Sequence, residues 1–157
     1  MGGLGKTTLV KRVHEDPEVR KHFPVRTWVT VSQTCDFQYL LKDLIRQLHE
    51  EGKKLVPQSI ESMTTTELKK FVKDFFQQAG RYAIFFDDVW DVEFWNTIKF
   101  ALPESSHGNR VMLTTRKADV ASASYIESRG LVYRMEPLSI GDSWTLFCNK
   151  IFNALAI

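Results

Sequence analysis

The N-terminal run Gly2-Gly3-Leu4-Gly5-Lys6-Thr7-Thr8 has residue types suited to holding phosphate. A phosphate-binding loop reads G-x-x-x-x-G-K-[ST], and Gly5-Lys6-Thr7 is the C-terminal half of that pattern. Glycines let successive backbone N–H groups turn inward around phosphate oxygens without a Cβ clash. A helix beginning near Lys6 offers unpaired N–H groups and the positive end of its dipole to the same oxygens. Lys6 can reach the β- and γ-phosphates as a mobile point charge. Thr7 can give its hydroxyl to Mg²⁺, and Thr8 lies where a further phosphate contact fits. Counting back from Gly5, the first glycine of the pattern falls one residue before Met1, and the apolar strand that feeds such a loop is absent as well. The chain therefore reads as a fragment of a longer protein, with Met1 an internal residue of the motif. The competing reading is a flexible glycine turn that opens an amphipathic helix.

A second group of candidates lies at the end of the apolar run Tyr82-Ala83-Ile84-Phe85-Phe86, where Asp87 and Asp88 follow. A phosphate loop works with a strand-end carboxylate, because Mg²⁺ is held between the loop hydroxyl and that Asp. Mg²⁺ is satisfied by one or two carboxylates plus waters. Asp87 is then the metal partner, and Asp88 the group to orient or deprotonate an attacking water. The alternative is a helix N-cap with a solvated acidic neighbour. Arg116 closes Thr114-Thr115-Arg116 at the end of a third strand. Its forked guanidinium suits a γ-phosphate, but a surface ion pair with Asp119 at i+3 accounts for it equally well.

These residues need a scaffold, and the apolar spacing supplies one. Leu9, Val10 and Val13 follow the loop at helical spacing until Asp16-Pro17. Arg26–Val31 is β-branched and aromatic, a strand. Phe37, Leu40, Leu41, Leu44, Ile45 and Leu48 form an amphipathic helix ended by Gly52. Residues Lys53–Thr66 read as a polar surface loop. Leu68, Phe71, Val72, Phe75, Phe76 and Ala79 form another helix, and its aromatic stripe is core. After the Tyr82–Phe86 strand come a helix through Phe94, Trp95 and Ile98, a strand Arg110–Thr114, a short helix Ala118–Ser124 and a fourth strand Leu131–Met135. A last helix carries Trp144, Phe147 and Ile151. Strands alternating with helices predict an α/β fold with a parallel sheet covered on both faces.

Composition bounds the rest. The chain has 157 residues, 43% hydrophobic, with eleven Phe and four Trp, enough apolar area to exclude disorder. A net charge of +2 is too small to argue for a nucleic-acid partner, and the basic residues near the N-terminus alternate with Glu15, Asp16 and Glu18. Cys35 and Cys148 lack zinc spacing and read as buried reduced thiols. His14, His22, His49 and His107 lack metal spacing and read as surface or cap residues. No run of about 18 apolar residues occurs to cross a membrane.

Taken in order, GGLGKTT, Arg26-Thr27-Trp28-Val29-Thr30-Val31-Ser32-Gln33, Ile84-Phe85-Phe86-Asp87-Asp88-Val89-Trp90, Gly108–Arg116 and Tyr133-Arg134-Met135-Glu136-Pro137-Leu138-Ser139 resemble successive motifs of the NB-ARC domain of plant nucleotide-binding, leucine-rich-repeat disease-resistance proteins. Trp90 resembles the coiled-coil branch of that family, not the branch with a Toll-like N-terminal domain. The resemblance implies a three-layer P-loop NTPase core of the STAND/NB-ARC type over residues 1–138, lacking its first strand, with a helical subdomain starting at 139–157. It implies an ADP/ATP switch in plant innate immunity: ADP holds a closed resting state, and ATP opens it, allows oligomerisation and starts defence signalling. The enzyme activity implied is at most slow, Mg²⁺-dependent ATP hydrolysis that resets the off state. Carried over position by position, Gly2, Gly3, Leu4, Gly5, Lys6, Thr7 and Thr8 bind adenine nucleotide, Thr7 and Asp87 hold Mg²⁺, Asp88 is catalytic and Arg116 senses the γ-phosphate. The partners implied are coiled-coil and leucine-rich-repeat domains in cis, in the cytoplasm. A conventional P-loop ATPase and an inert, pseudogene-derived fragment remain as alternatives. GTP is disfavoured by the absence of an Asn-Lys-x-Asp stretch. The family's GLPLA and MHD segments do not occur within the 157 residues.

Overall fold

A computed structural model describes residues 3–33, 36–52, 55–103, 108–128 and 130–152. The chain opens with α1 (Lys6–Glu15) and α2 (Pro17–His22), then runs through β1 (Val25–Thr30), α3 (Phe37–Glu51), α4 (Thr65–Gln78) and β2 (Tyr82–Val89). It continues with α5 (Val92–Ile98), β3 (Arg110–Thr115), α6 (Ala118–Ser128) and α7 (Ile140–Phe152). The three strands form one parallel sheet in the order β1-β2-β3. This is the α/β architecture of a P-loop NTPase-type core, as the motif order implied.

The alternation of side chains along β2 divides the core into two layers. Tyr82, Ile84 and Phe86 point into the larger cluster with Leu41, Leu44, Ile45 and Leu48 of α3 and Leu68, Val72 and Phe76 of α4. Ala83 and Phe85 point the other way and pack with Val10 and Val13 of α1, Phe23 and Trp28. Buried on both faces, β2 is the central strand, and its near-continuous apolar run follows from that position. Coverage thins at β3, where Val111 and Met112 are exposed, so the expectation of a sheet covered throughout holds only for β1 and β2.

Local chemistry sets the element ends. Asp16 caps α2 by accepting from the N–H groups of Glu18 and Val19, and Pro17 takes the first helical position, where no N–H is needed. This short helix was not apparent in the apolar spacing, which marked Asp16-Pro17 only as a stop. The buried Arg26 guanidinium donates to the carbonyl of Phe23 at the end of α2.

Several expectations are corrected. Within the segment read as a polar loop, Gln58–Ser62 forms a 3-10 turn that buries Ile60. Glu61 of that turn pairs with Lys42 and Arg46 of α3, so one apolar anchor and two ion pairs fasten it down. Leu131–Met135 joins no strand among the described residues, and Leu131 and Tyr133 are exposed. Strand propensity needs a paired neighbour to become a strand, and among the described residues no strand pairs with this segment. The strand read as ending in Asp87-Asp88 runs one residue further, and β2 closes at Val89. His49 is buried, its Nδ1 within 2.9 Å of the Ile45 carbonyl, and His14 meets the rings of Trp28 and Phe85 edge-on; neither is a surface or cap residue. Cys148 is half-exposed on α7 instead of buried; Cys35 and His107 lie outside the described residues.

Candidate functional site

Gly5 precedes the first residue of α1 with φ 82°, and Gly3 has φ 77°. A Cβ at either position would meet no atom within 4 Å, so the left-handed backbone, and not crowding, is what calls for glycine. Gly5 at the N-cap carries no side chain to accept from the first turn of α1, the place where a helix start receives an outside anion. Lys6 and Thr7 are half-buried in the first turn, while Thr8 is exposed. Leu4 is half-buried and Gly3 exposed, and Gly2 lies outside the described residues.

Folding brings this turn against the acidic pair, 80 residues away in sequence. The Thr7 hydroxyl donates to Asp87 Oδ1 at 2.9 Å. Asp87 is buried, and its Oδ1 also accepts from the Thr114 hydroxyl of β3 at 2.6 Å. Asp88 has φ 60°, the one non-glycine residue at positive φ among those described. For an L-residue that conformation costs about 1–2 kcal/mol, although Asp tolerates it better than most. The cause is a β-bulge: Phe86 pairs with Leu113 and Val89 with Thr115, so Asp87 and Asp88 together stand opposite Thr114 alone. The backbone N–H of Asp88, displaced from the ladder, donates to Thr114 Oγ1 at 2.8 Å.

The bulge turns Asp88 towards Arg116, whose Nε lies 3.3 Å from Asp88 Oδ1. The Arg116 guanidinium also sits 5.3 Å from the ring centroid of Trp90. The pairing with Asp119 considered from spacing alone is not formed: Arg116 reaches back to the acidic pair, while the Asp119 carboxylate accepts from the N–H of Val120. Nor does the acidic pair cap a helix, because Asp91 does so by accepting from the Phe94 N–H at 2.6 Å. Thr115 fixes the base of Arg116 by donating to the Val89 carbonyl and accepting from the Lys117 N–H.

Thr7, Asp87, Asp88 and Arg116 thus come to one end of the sheet, at the carboxyl ends of β2 and β3, where ligands of open α/β sheets bind. Two oxygen donors, the Thr7 hydroxyl and the Asp87 carboxylate, already meet there. That hard, sparse donor set fits Mg²⁺, which takes few protein ligands and completes its shell with phosphate and water. Among the described residues no group of three or more His, Cys, Asp or Glu gathers to hold a metal unaided. Sequence reasoning missed Thr114 and the stacking of Trp90 on Arg116. The signal for Thr114 was available: a hydroxyl two residues before Arg116, in the strand next to the acidic pair.

Comparison with known proteins agrees with the motif order. Residues 1–156 match the NB-ARC domain. The chain is 35% identical over 154 residues to disease resistance protein RPM1 of Arabidopsis thaliana, covering 98% of this chain and 16% of that protein. It is 36% identical over 157 residues to disease resistance RPP13-like protein 4 of the same plant, covering 98% of this chain and 17% of the relative. To the ToMV resistance protein Tm-2(2) of Solanum lycopersicum it is 34% identical over 155 residues, at 98% and 16% coverage. The chain therefore spans about one sixth of the length of these relatives. No helix among the described residues is long and apolar enough to cross a membrane. With its match running almost end to end, this chain belongs to the NB-ARC domain family.

Proposed function

We propose that this chain is the nucleotide-binding core of a plant defence receptor of the coiled-coil branch, switching between ADP-bound and ATP-bound states. The observation that carries the reading is the 2.9 Å bond between Thr7 of the glycine-led helix and Asp87 of the central strand. Backbone N–H groups at Gly2, Gly3, Leu4, Gly5, Lys6, Thr7 and Thr8 and the Lys6 ammonium cradle the phosphates. Thr7 and Asp87 hold Mg²⁺, which when bound neutralises phosphate charge. Asp88 orients the attacking water, and Arg116 contacts the γ-phosphate.

The Asp88–Arg116 pair supports a slow, switch-like cycle. Arg116 Nε lies against Asp88 Oδ1, so a phosphate that draws the guanidinium away releases that carboxylate oxygen towards water. Only a nucleotide with a γ-phosphate competes for Arg116, so ATP and ADP interact differently with the two arrangements, as a population shift requires. Residues 1–138 form the nucleotide core, and 139–157 begin a helical subdomain. Coiled-coil and leucine-rich-repeat domains in cis, oligomerisation on activation and a cytoplasmic site of action belong to the same reading, supported by the NB-ARC match.

The test is to denature the purified protein and quantify released ADP and ATP by chromatography. Near-stoichiometric ADP is expected, lost in Lys6→Ala, whereas Asp88→Ala retains nucleotide and hydrolyses ATP more slowly. A protein that carries no nucleotide and takes up none on titration is an inert relic, and the reading fails.

A further inference from the structure

The bulge in β2 places two acidic residues opposite a single threonine, and that threonine bonds to both. Thr114 is buried, with one hydroxyl proton to give, and gives it to Asp87 Oδ1 at 2.6 Å. Its oxygen accepts the Asp88 N–H at 2.8 Å, standing in for the ladder bond that the bulge removes. Asp87 Oδ1 therefore takes two hydroxyls, from Thr7 on one side and Thr114 on the other. The same side chain sets the rotamer of one carboxylate and supports the positive-φ backbone that aims the other at Arg116.

We infer that Thr114 is a positioning residue for Mg²⁺ at this site, holding Asp87 in the orientation that shares the ion with Thr7 and fixing Asp88 beside it. The inference rests on the reading of Thr7 and Asp87 as the metal ligands. Partners behind a ligand control metal affinity strongly, because they fix its direction and its share of the charge. Neither Thr114 hydrogen bond involves the glycine loop or Lys6, so Thr114→Val leaves the backbone N–H groups of the phosphate cradle in place.

ADP binding is measured on the full chain in EDTA and again across a Mg²⁺ titration, for the unaltered protein, Thr114→Val and Thr114→Ser. Thr114→Val is expected to bind ADP in EDTA within about twofold of the unaltered protein, yet to need about tenfold or more Mg²⁺ for half-saturation. Thr114→Ser, which keeps the hydroxyl, restores the Mg²⁺ response. An unchanged Mg²⁺ midpoint in Thr114→Val overturns the inference, and so does a Thr114→Ser as defective as the valine, since the hydroxyl it keeps then fails to sustain the Mg²⁺ response. If Thr114→Val does not fold, the serine variant and hydrogen exchange decide. The Asp88 amide of the unaltered chain must exchange slowly, and an Asp88 amide as fast as an unprotected loop overturns the inference. An unaltered protein that binds no ADP at all, with or without Mg²⁺, sinks the nucleotide reading and this inference with it. A normal metal response in Thr114→Val sinks this inference alone.

Discussion

Helices α4 and α7 carry nearly the same local instructions and meet different fates. They are 14 and 13 residues long, both amphipathic and rich in aromatic side chains. Each starts with a hydroxyl cap that its third residue answers. Thr64 accepts from the Glu67 N–H while its own N–H donates to Glu67 Oε2. Ser139 accepts from the Asp142 N–H and donates to the Asp142 carboxylate. Yet α4 buries Leu68, Val72 and Phe76 against α3 and the sheet, while Trp144 and Phe147 of α7 stay 66% and 55% exposed. In α7 the two rings stack on each other, centroids 5.8 Å apart, with no core beneath them among the described residues. Caps and periodicity make a helix; a facing apolar surface is what converts its stripe into stability.

The sharpest way to break that contrast is to delete one aromatic from each helix. Phe76→Ala is expected to lower the free energy of unfolding by about 3–5 kcal/mol, since it removes a fully buried ring and leaves a cavity. Phe147→Ala is expected to change it by no more than about 0.5 kcal/mol, as for other surface positions. Denaturant unfolding followed by circular dichroism compares them directly. Similar losses in both variants would mean that α7 is packed after all.

The same distinction explains what could be read from the sequence. The strands Arg26–Val31 and Tyr82–Phe86 and the helices through Leu44 and Phe76 were legible because each carries enough apolar residues at one period to leave a single reading. Leu131–Met135 was misread for the opposite reason: its pattern specifies an extended segment, but pairing depends on a neighbour that pattern cannot supply. At the site, the phosphate-loop half and the acidic pair stood out because few structural roles demand those types at that spacing. The partner of Arg116 did not, since Asp119 was near in sequence and Asp88 was near only once β2 and β3 paired. Thr114 showed as a hydroxyl near Arg116, but its contact with both Asp87 and Asp88 depends on the bulge, an irregularity of register that has no signature in a run of apolar and β-branched residues.

The caps offer a finer comparison, because they are chemically alike in the two helices. Thr64→Ala is expected to cost about 1 kcal/mol of global stability, the usual loss when a hydroxyl N-cap is removed. Ser139→Ala is expected to leave the global unfolding midpoint where it is, and to show itself as faster hydrogen exchange at the Asp142 amide that Ser139 accepts from. A midpoint shift of equal size in Ser139→Ala would couple α7 to the core and dissolve the contrast.

The smallest expected effect concerns pH and belongs to the packed side alone, since α7 contains no histidine. His14 of α1 lies half-buried against Phe85 and Trp28, ring centroids 5.0 and 5.8 Å away. Burial, and secondarily the Arg26 guanidinium, hold its pKa below the usual histidine value of 6.5, with Glu51 and Glu15 opposing in part. Between the folded value and 6.5 the unfolded chain binds more protons than the folded one, so stability rises with pH across that window. The contribution is complete above 6.5 and is lost as pH falls through the folded value. Thermal unfolding from pH 8 down to pH 5 should therefore show a decline that is shallower in His14→Gln, whose side chain does not titrate. An identical decline in both proteins would assign the acid sensitivity to the carboxylates and leave His14 a packing residue only.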